Sequence, residues 1–91
     1  MQLSKNKSLM LVESITLIMH SLNEHNMKKV TTEIQKLKKI AENLPIKIQE
    51  DIQNFIIQAD IQKDYDIGHG VTKKLKQLAD ELVYDLKKLS E

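Results

Sequence analysis

Apolar residues recur at three- and four-residue steps through most of the chain, with polar residues filling the intervals. Met27, Val30, Ile34, Leu37, Ala41 and Leu44 form the cleanest such series. That spacing puts one side chain per turn on a single face of an α-helix. Breakers divide the pattern into four segments. The first, residues 8–22, places Leu11, Ile15, Ile18 and Leu22 on one face, widened by Val12 and Met19. Polar residues 23–26 read as a turn, with Asn23 or Asn26 able to cap a second helix over residues 27–43. Pro45 cannot continue that helix, pushes Leu44 out of helical geometry and suits the first turn of a third, residues 46–63.

Ile48, Ile52, Phe55, Ile56 and Ala59 make the inner stripe of the third helix. Glu50 and Asp51 are expected near its early turns, where the helix dipole favours negative charge. A loop over residues 64–70 holds both glycines, Gly68 and Gly70. A fourth helix, residues 71–89, follows with Leu75, Leu78, Ala79, Leu82, Leu86 and Leu89 inward and Lys87 and Lys88 at its C-terminal end. Short connections favour antiparallel neighbours, so the expected fold is one all-α domain, an antiparallel up-down four-helix bundle.

The third helix has a second apolar set. Ile46, Ile57 and Ile61 lie roughly 180° from its inner stripe at about 100° per residue. Two readings stay open: the helix is sandwiched inside the bundle, or it shows an aliphatic strip to solvent. With Tyr65 and Tyr84, these three isoleucines are the candidate partner-binding residues.

Composition narrows the picture. A chain of 91 residues builds a single core. Phe55, Tyr65 and Tyr84 are its only aromatics, so that core is aliphatic. The absence of cysteine excludes disulfides and thiolate metal sites, and leans toward a cytoplasmic location. Lys5 and Lys7 before the stretch from Leu9 to Met19 superficially resemble a secretion signal. Glu13, Ser14 and Thr16 interrupt that stretch, and it is too short and polar to span a bilayer. The formal charge is +1, and every one of the 14 basic groups is a lysine. Without the arginine fork, base-specific nucleic-acid readout and the clamping of dicarboxylates are disfavoured. Charge is segregated: residues 23–44 hold five lysines against three acids, residues 45–66 two against five.

No constellation for catalysis, cofactor binding or metal binding emerges. His20, Glu24 and His25 cluster at a helix end without the ligands of a closed site. His69 has no nucleophile or second acid nearby in sequence, and Gly68-His69-Gly70 lacks the further glycines, strand and Lys-Ser/Thr of a phosphate loop. Lys28, Lys29, Lys36 and Lys39 on the second helix read as a solvated face.

The succession of segments resembles one family. An amphipathic helix is followed by a lysine-rich helix with Lys28-Lys29-Val30, Ile34 and Leu37-Lys38. Leu44-Pro45 then opens an isoleucine-rich helix, and Lys63-Asp64 leads to a helix beginning Lys73-Lys74-Leu75-Lys76-Gln77-Leu78. Over roughly residues 9–83 this is similar to the immunity proteins of class IIa (pediocin-like) bacteriocins, the enterocin A immunity type. The resemblance implies a monomeric antiparallel four-helix bundle, cytosolic or peripheral at the inner face of the membrane, that is no enzyme and uses no cofactor. It implies protection of the producer cell by binding the toxin-engaged mannose phosphotransferase permease, with the C-terminal half setting which bacteriocin is countered. Several members carry a tail beyond the last helix, whereas Glu91 closes this sequence almost at once. The residues alone also fit a small helical regulatory or antitoxin-like interaction module. A chorismate-mutase-like helical enzyme is disfavoured by the missing arginines.

Overall fold

The computed structural model describes residues 3–64 and 71–90. It contains α1 (Lys5–Asn23), α2 (Met27–Ile40), α3 (Ile46–Asp64) and α4 (Lys73–Leu89), with a short 3-10 helix over Ala41–Asn43 prolonging α2. The fold is an all-α four-helix bundle, and no strand occurs among the described residues.

Local chemistry accounts for the helix ends. α1 starts at Lys5, earlier than the apolar periodicity predicts, because the Ser4 hydroxyl accepts the Lys7 N–H at 3.1 Å. At its far end His25 adopts a left-handed conformation with φ 59°. This lets the Asn26 N–H reach the Ser21 carbonyl at 2.9 Å and the His25 N–H reach Leu22 at 3.1 Å, the two bonds of a Schellman ending. Asn26, rather than Asn23, then caps α2 by accepting the Lys29 N–H at 3.2 Å.

The second boundary is set by Pro45. Leu44 before it is extended, and the last turn of the preceding helix tightens to 3-10. Gln49 reaches back from α3 and donates to the carbonyls of Glu42 (2.9 Å) and Leu44 (2.8 Å), satisfying acceptors that the ended helix leaves open. Glu50 and Asp51, expected to complement the α3 dipole, lie past its first turn, which holds no acid. α4 starts at Lys73, where the Thr72 hydroxyl accepts the Leu75 N–H at 3.3 Å.

The core is the aliphatic stripe of each helix brought to one axis. Leu11, Ile15, Ile18 and Leu22 meet Val30, Ile34 and Leu37, then Ile48, Ile52, Phe55, Ile56 and Ala59, and finally Leu75, Ala79, Leu82 and Leu86. α1 and α3 each pack against both α2 and α4. The start of α1 lies beside the end of α4: the Leu3 N–H donates to the Leu89 carbonyl at 3.1 Å and the buried Ser8 hydroxyl to Leu86 at 3.0 Å. The end of α1 lies beside the start of α4, where Asn23 Oδ1 accepts the Val71 N–H at 3.1 Å. α1 and α2 make the most extensive contact. Ser14 and Ser21, both buried, sit on the flank of α1 turned from α4, where their small side chains permit that close approach.

Two positions differ from the expected inner set. Leu78 and Leu89 are only half-buried. Leu78 borders the cleft between α3 and α4, and Leu89 sits at the open end of the last turn.

Truncating the fully buried Leu37 to alanine is expected to cost about 2–5 kcal/mol, and Leu78→Ala under about 2 kcal/mol, in equilibrium denaturation. His25→Gly and His25→Ala both delete the imidazole, so their difference isolates the backbone. Glycine is expected to be the more stable by about 1 kcal/mol.

Candidate partner-binding surface

α3 buries one face and exposes the other. With Ile48, Ile52, Phe55, Ile56 and Ala59 turned inward, the helical repeat carries Ile46, Ile57 and Ile61 outward. They are 74%, 47% and 45% exposed, which settles the choice between sandwich and exposed strip in favour of the strip. Ile57 and Ile61 are one turn apart and adjoin. Ile46 stands about 16 Å further along the axis at about 1.5 Å per residue, so the strip is a pair with an outlier.

Carboxylates flank the pair. Asp60 lies beside Ile61 on the α2 side and holds the Lys63 ammonium at 3.7 Å, and Asp64 ends the helix. Lys63 also reaches across to the Thr31 hydroxyl on α2 at 3.3 Å. On the other flank a narrow cleft between α3 and α4 is lined by Asp51, Asn54, Leu78, Glu81, Leu82 and Asp85. The α3 strip is therefore an apolar patch with an acidic border, a composition suited to docking through a few buried aliphatics and a polar rim.

Tyr84 is exposed on the outer face of α4, opposite Leu75, Leu82 and Leu86. The Lys88 ammonium lies 5.7 Å from its ring centroid, so the ring already has a cationic neighbour on its own helix. Glu81 and Asp85 stand on the α4 flank that meets α3, which separates Tyr84 from the isoleucines. The structure thus does not bring Tyr84 into one patch with Ile57 and Ile61. Tyr65, His69, Gly68 and Gly70 lie outside the described residues.

The remaining candidate chemistry resolves into local contacts. His20 pairs with Glu24 one turn on, both well exposed. Among the described residues no group of three or more histidine, cysteine, aspartate or glutamate side chains is placed to share a metal ion. A groove of about 440 Å³ between α1 and α4 has an apolar floor of Ile15, Met19, Ala79 and Val83, with Lys76 and Asp80 as its charged lining residues. Glu33 is the one buried charged residue among those described, and it is met by Lys36 at 3.4 Å. Among the described residues no helix is long and apolar enough to cross a membrane.

Leu9 and Met10 are an exposed apolar pair that the inner-stripe reading of α1 passed over. Their signal was present: at about 100° per residue Leu9 falls about 160° from Leu11, on the far side of the helix.

Ile57→Asp and Ile61→Asp are each expected to change stability by less than about 1 kcal/mol, because neither side chain fills the core. Thermal unfolding of the two variants beside Leu37→Ala checks this. Comparisons of the chain with known protein families, with curated protein sequences and with solved structures return no match.

Proposed function

We propose that this protein is a bacteriocin immunity protein of the pediocin-like class, and that it protects its cell by binding rather than by chemistry. The observation that carries the reading is the outer face of α3. An aliphatic pair, Ile57 and Ile61, is held at the surface of a small rigid bundle with carboxylates along its border. The order of segments that resembles the family supports it, from the lysine-rich α2 through Leu44-Pro45 to the Lys73-Lys74-Leu75-Lys76 opening of α4.

In this reading the partner is the mannose phosphotransferase permease once a bacteriocin has engaged it, approached from the cytosol. α3 and α4 supply the selective surface. Burial of Ile57 and Ile61 would provide the apolar anchor, and Asp60, Asp64 and the α3–α4 cleft would set the register against basic groups of the partner. No bond is made or broken, so the protein needs no cofactor, and one copy suffices.

Expression in a sensitive strain is the test. Survival against at least one member of a panel of pediocin-like peptides is expected to rise. The doubly substituted Ile57→Asp, Ile61→Asp chain is expected to accumulate as folded protein yet lose most of that protection. Unchanged killing across the panel with the unmodified chain would overturn the reading. A tight dimer in light scattering that Ile57→Asp dissolves would instead favour a helical regulatory module that pairs with itself.

A further inference from the structure

We infer that the side of the bundle formed by α1 and α2 is a docking face for an anionic lipid bilayer, with lysines of α2 meeting headgroups and Leu9 and Met10 of α1 entering the interface. The inference stands apart from the permease reading and uses different residues.

α2 carries five lysines, Lys28, Lys29, Lys36, Lys38 and Lys39, all exposed, and its single acid, Glu33, is buried. The outward face of α2 therefore presents no carboxylate over its length of about 21 Å. Lys36 spends part of its charge on Glu33, while Lys28, Lys29, Lys38 and Lys39 have no ion-pair partner among the described residues. The hydroxyls of Thr31 and Thr32 bond back to the carbonyls of Met27 and Lys28, which leaves ammonium groups as the dominant outward polar groups.

Lys38 and Lys39 complement the dipole in the last turn of α2, but helix stability does not explain the other end. Lys28 and Lys29 stand in the first turn of α2, where the positive end of the dipole disfavours cations and no acid offsets them. A local rule broken without a structural return marks a position kept for another purpose.

The second observation is on α1. Leu9 and Met10 are more than half exposed, and Leu17 is half-buried on the same outer side. The tight turn at residues 24–26 folds α2 back along α1, so Met10 stands level with the last turns of α2. One exposed carboxylate, Glu13, lies between Leu9 and Leu17 on α1. Exposed aliphatics on one helix beside a lysine-bearing helix are the pattern of a surface that lies in a bilayer interface.

A bilayer fits better than nucleic acid. The face holds no arginine and no aromatic, the groups that grip phosphates in pairs and stack on bases. A flat bilayer also meets one side of the bundle only, leaving the acids of the α3–α4 cleft, Asp51, Glu81 and Asp85, turned away from it.

The test is sedimentation of the intact protein with vesicles of phosphatidylcholine, with and without about 30% phosphatidylglycerol. Binding to the anionic vesicles alone, weakening as salt rises from about 0.1 to about 0.5 M, is expected. Lys28→Gln with Lys39→Gln is expected to weaken it about twenty-five-fold, at about fivefold per lysine. Lys73→Gln with Lys74→Gln, the same charge change on the diagonally placed α4, should weaken it by less than about threefold. Leu9→Ser with Met10→Ser should weaken binding while leaving its salt dependence intact. Equal binding to neutral vesicles, no binding to either kind, an undiminished Lys28/Lys39 variant, or tighter binding to duplex DNA would each overturn the inference.

Discussion

Mutual burial of aliphatic stripes is the constraint on which this molecule depends. Helices of 14 to 19 residues built from lysine, isoleucine and glutamine are marginal in isolation. They persist because Leu11, Ile15, Val30, Leu37, Ile52, Phe55, Leu75 and Leu86 exclude water together. With Phe55 the one aromatic ring in the core among the described residues, shape is set by branched aliphatics, whose restricted rotamers favour a single packed arrangement. Because the interior carries the stability, the outward residues are released from structural duty.

That release is visible in the division of surface character. α2 turns a lysine face outward, and α3 turns out isoleucines bordered by acids. The two helices pack against each other, so surfaces of opposite character occupy neighbouring corners of one small body. A net charge near neutrality conceals this polarity. Near other molecules it orients the bundle, since each face is attracted by what the other repels.

Much of the fold was legible because the core stripes are regular. The inner sets of α1, α2 and α3 could be read from three- and four-residue spacing, and Pro45 announced its boundary through a single steric rule. The helix ends were less legible. Ser4 and Thr72 cap through hydroxyls whose role depends on the backbone geometry of the residues after them, and the left-handed turn falls on His25 rather than on a glycine. Leu78 was misplaced because periodicity gives a direction around a helix without saying how far the neighbouring helix extends over it. For the candidate surface, the wheel put Ile46, Ile57 and Ile61 on one side, but whether another helix covers that side is a tertiary fact. Tyr84 shared their outward character without sharing their location, a distinction no local pattern contains.

The stitching of α1 to α4 bears on the order in which the chain can fold. α1 and α2 are joined by a tight turn and can collapse as a hairpin while the remainder is still being synthesised. The Ser8–Leu86 and Leu3–Leu89 bonds join positions at opposite extremes of the sequence, so the barrel of helices cannot close until α4 has left the ribosome. Until then the flank of α1 that α4 will cover stands uncovered. A nascent chain stalled before Lys73 would present that greasy seam to chaperones, and only a chain that has made α4 would hide it.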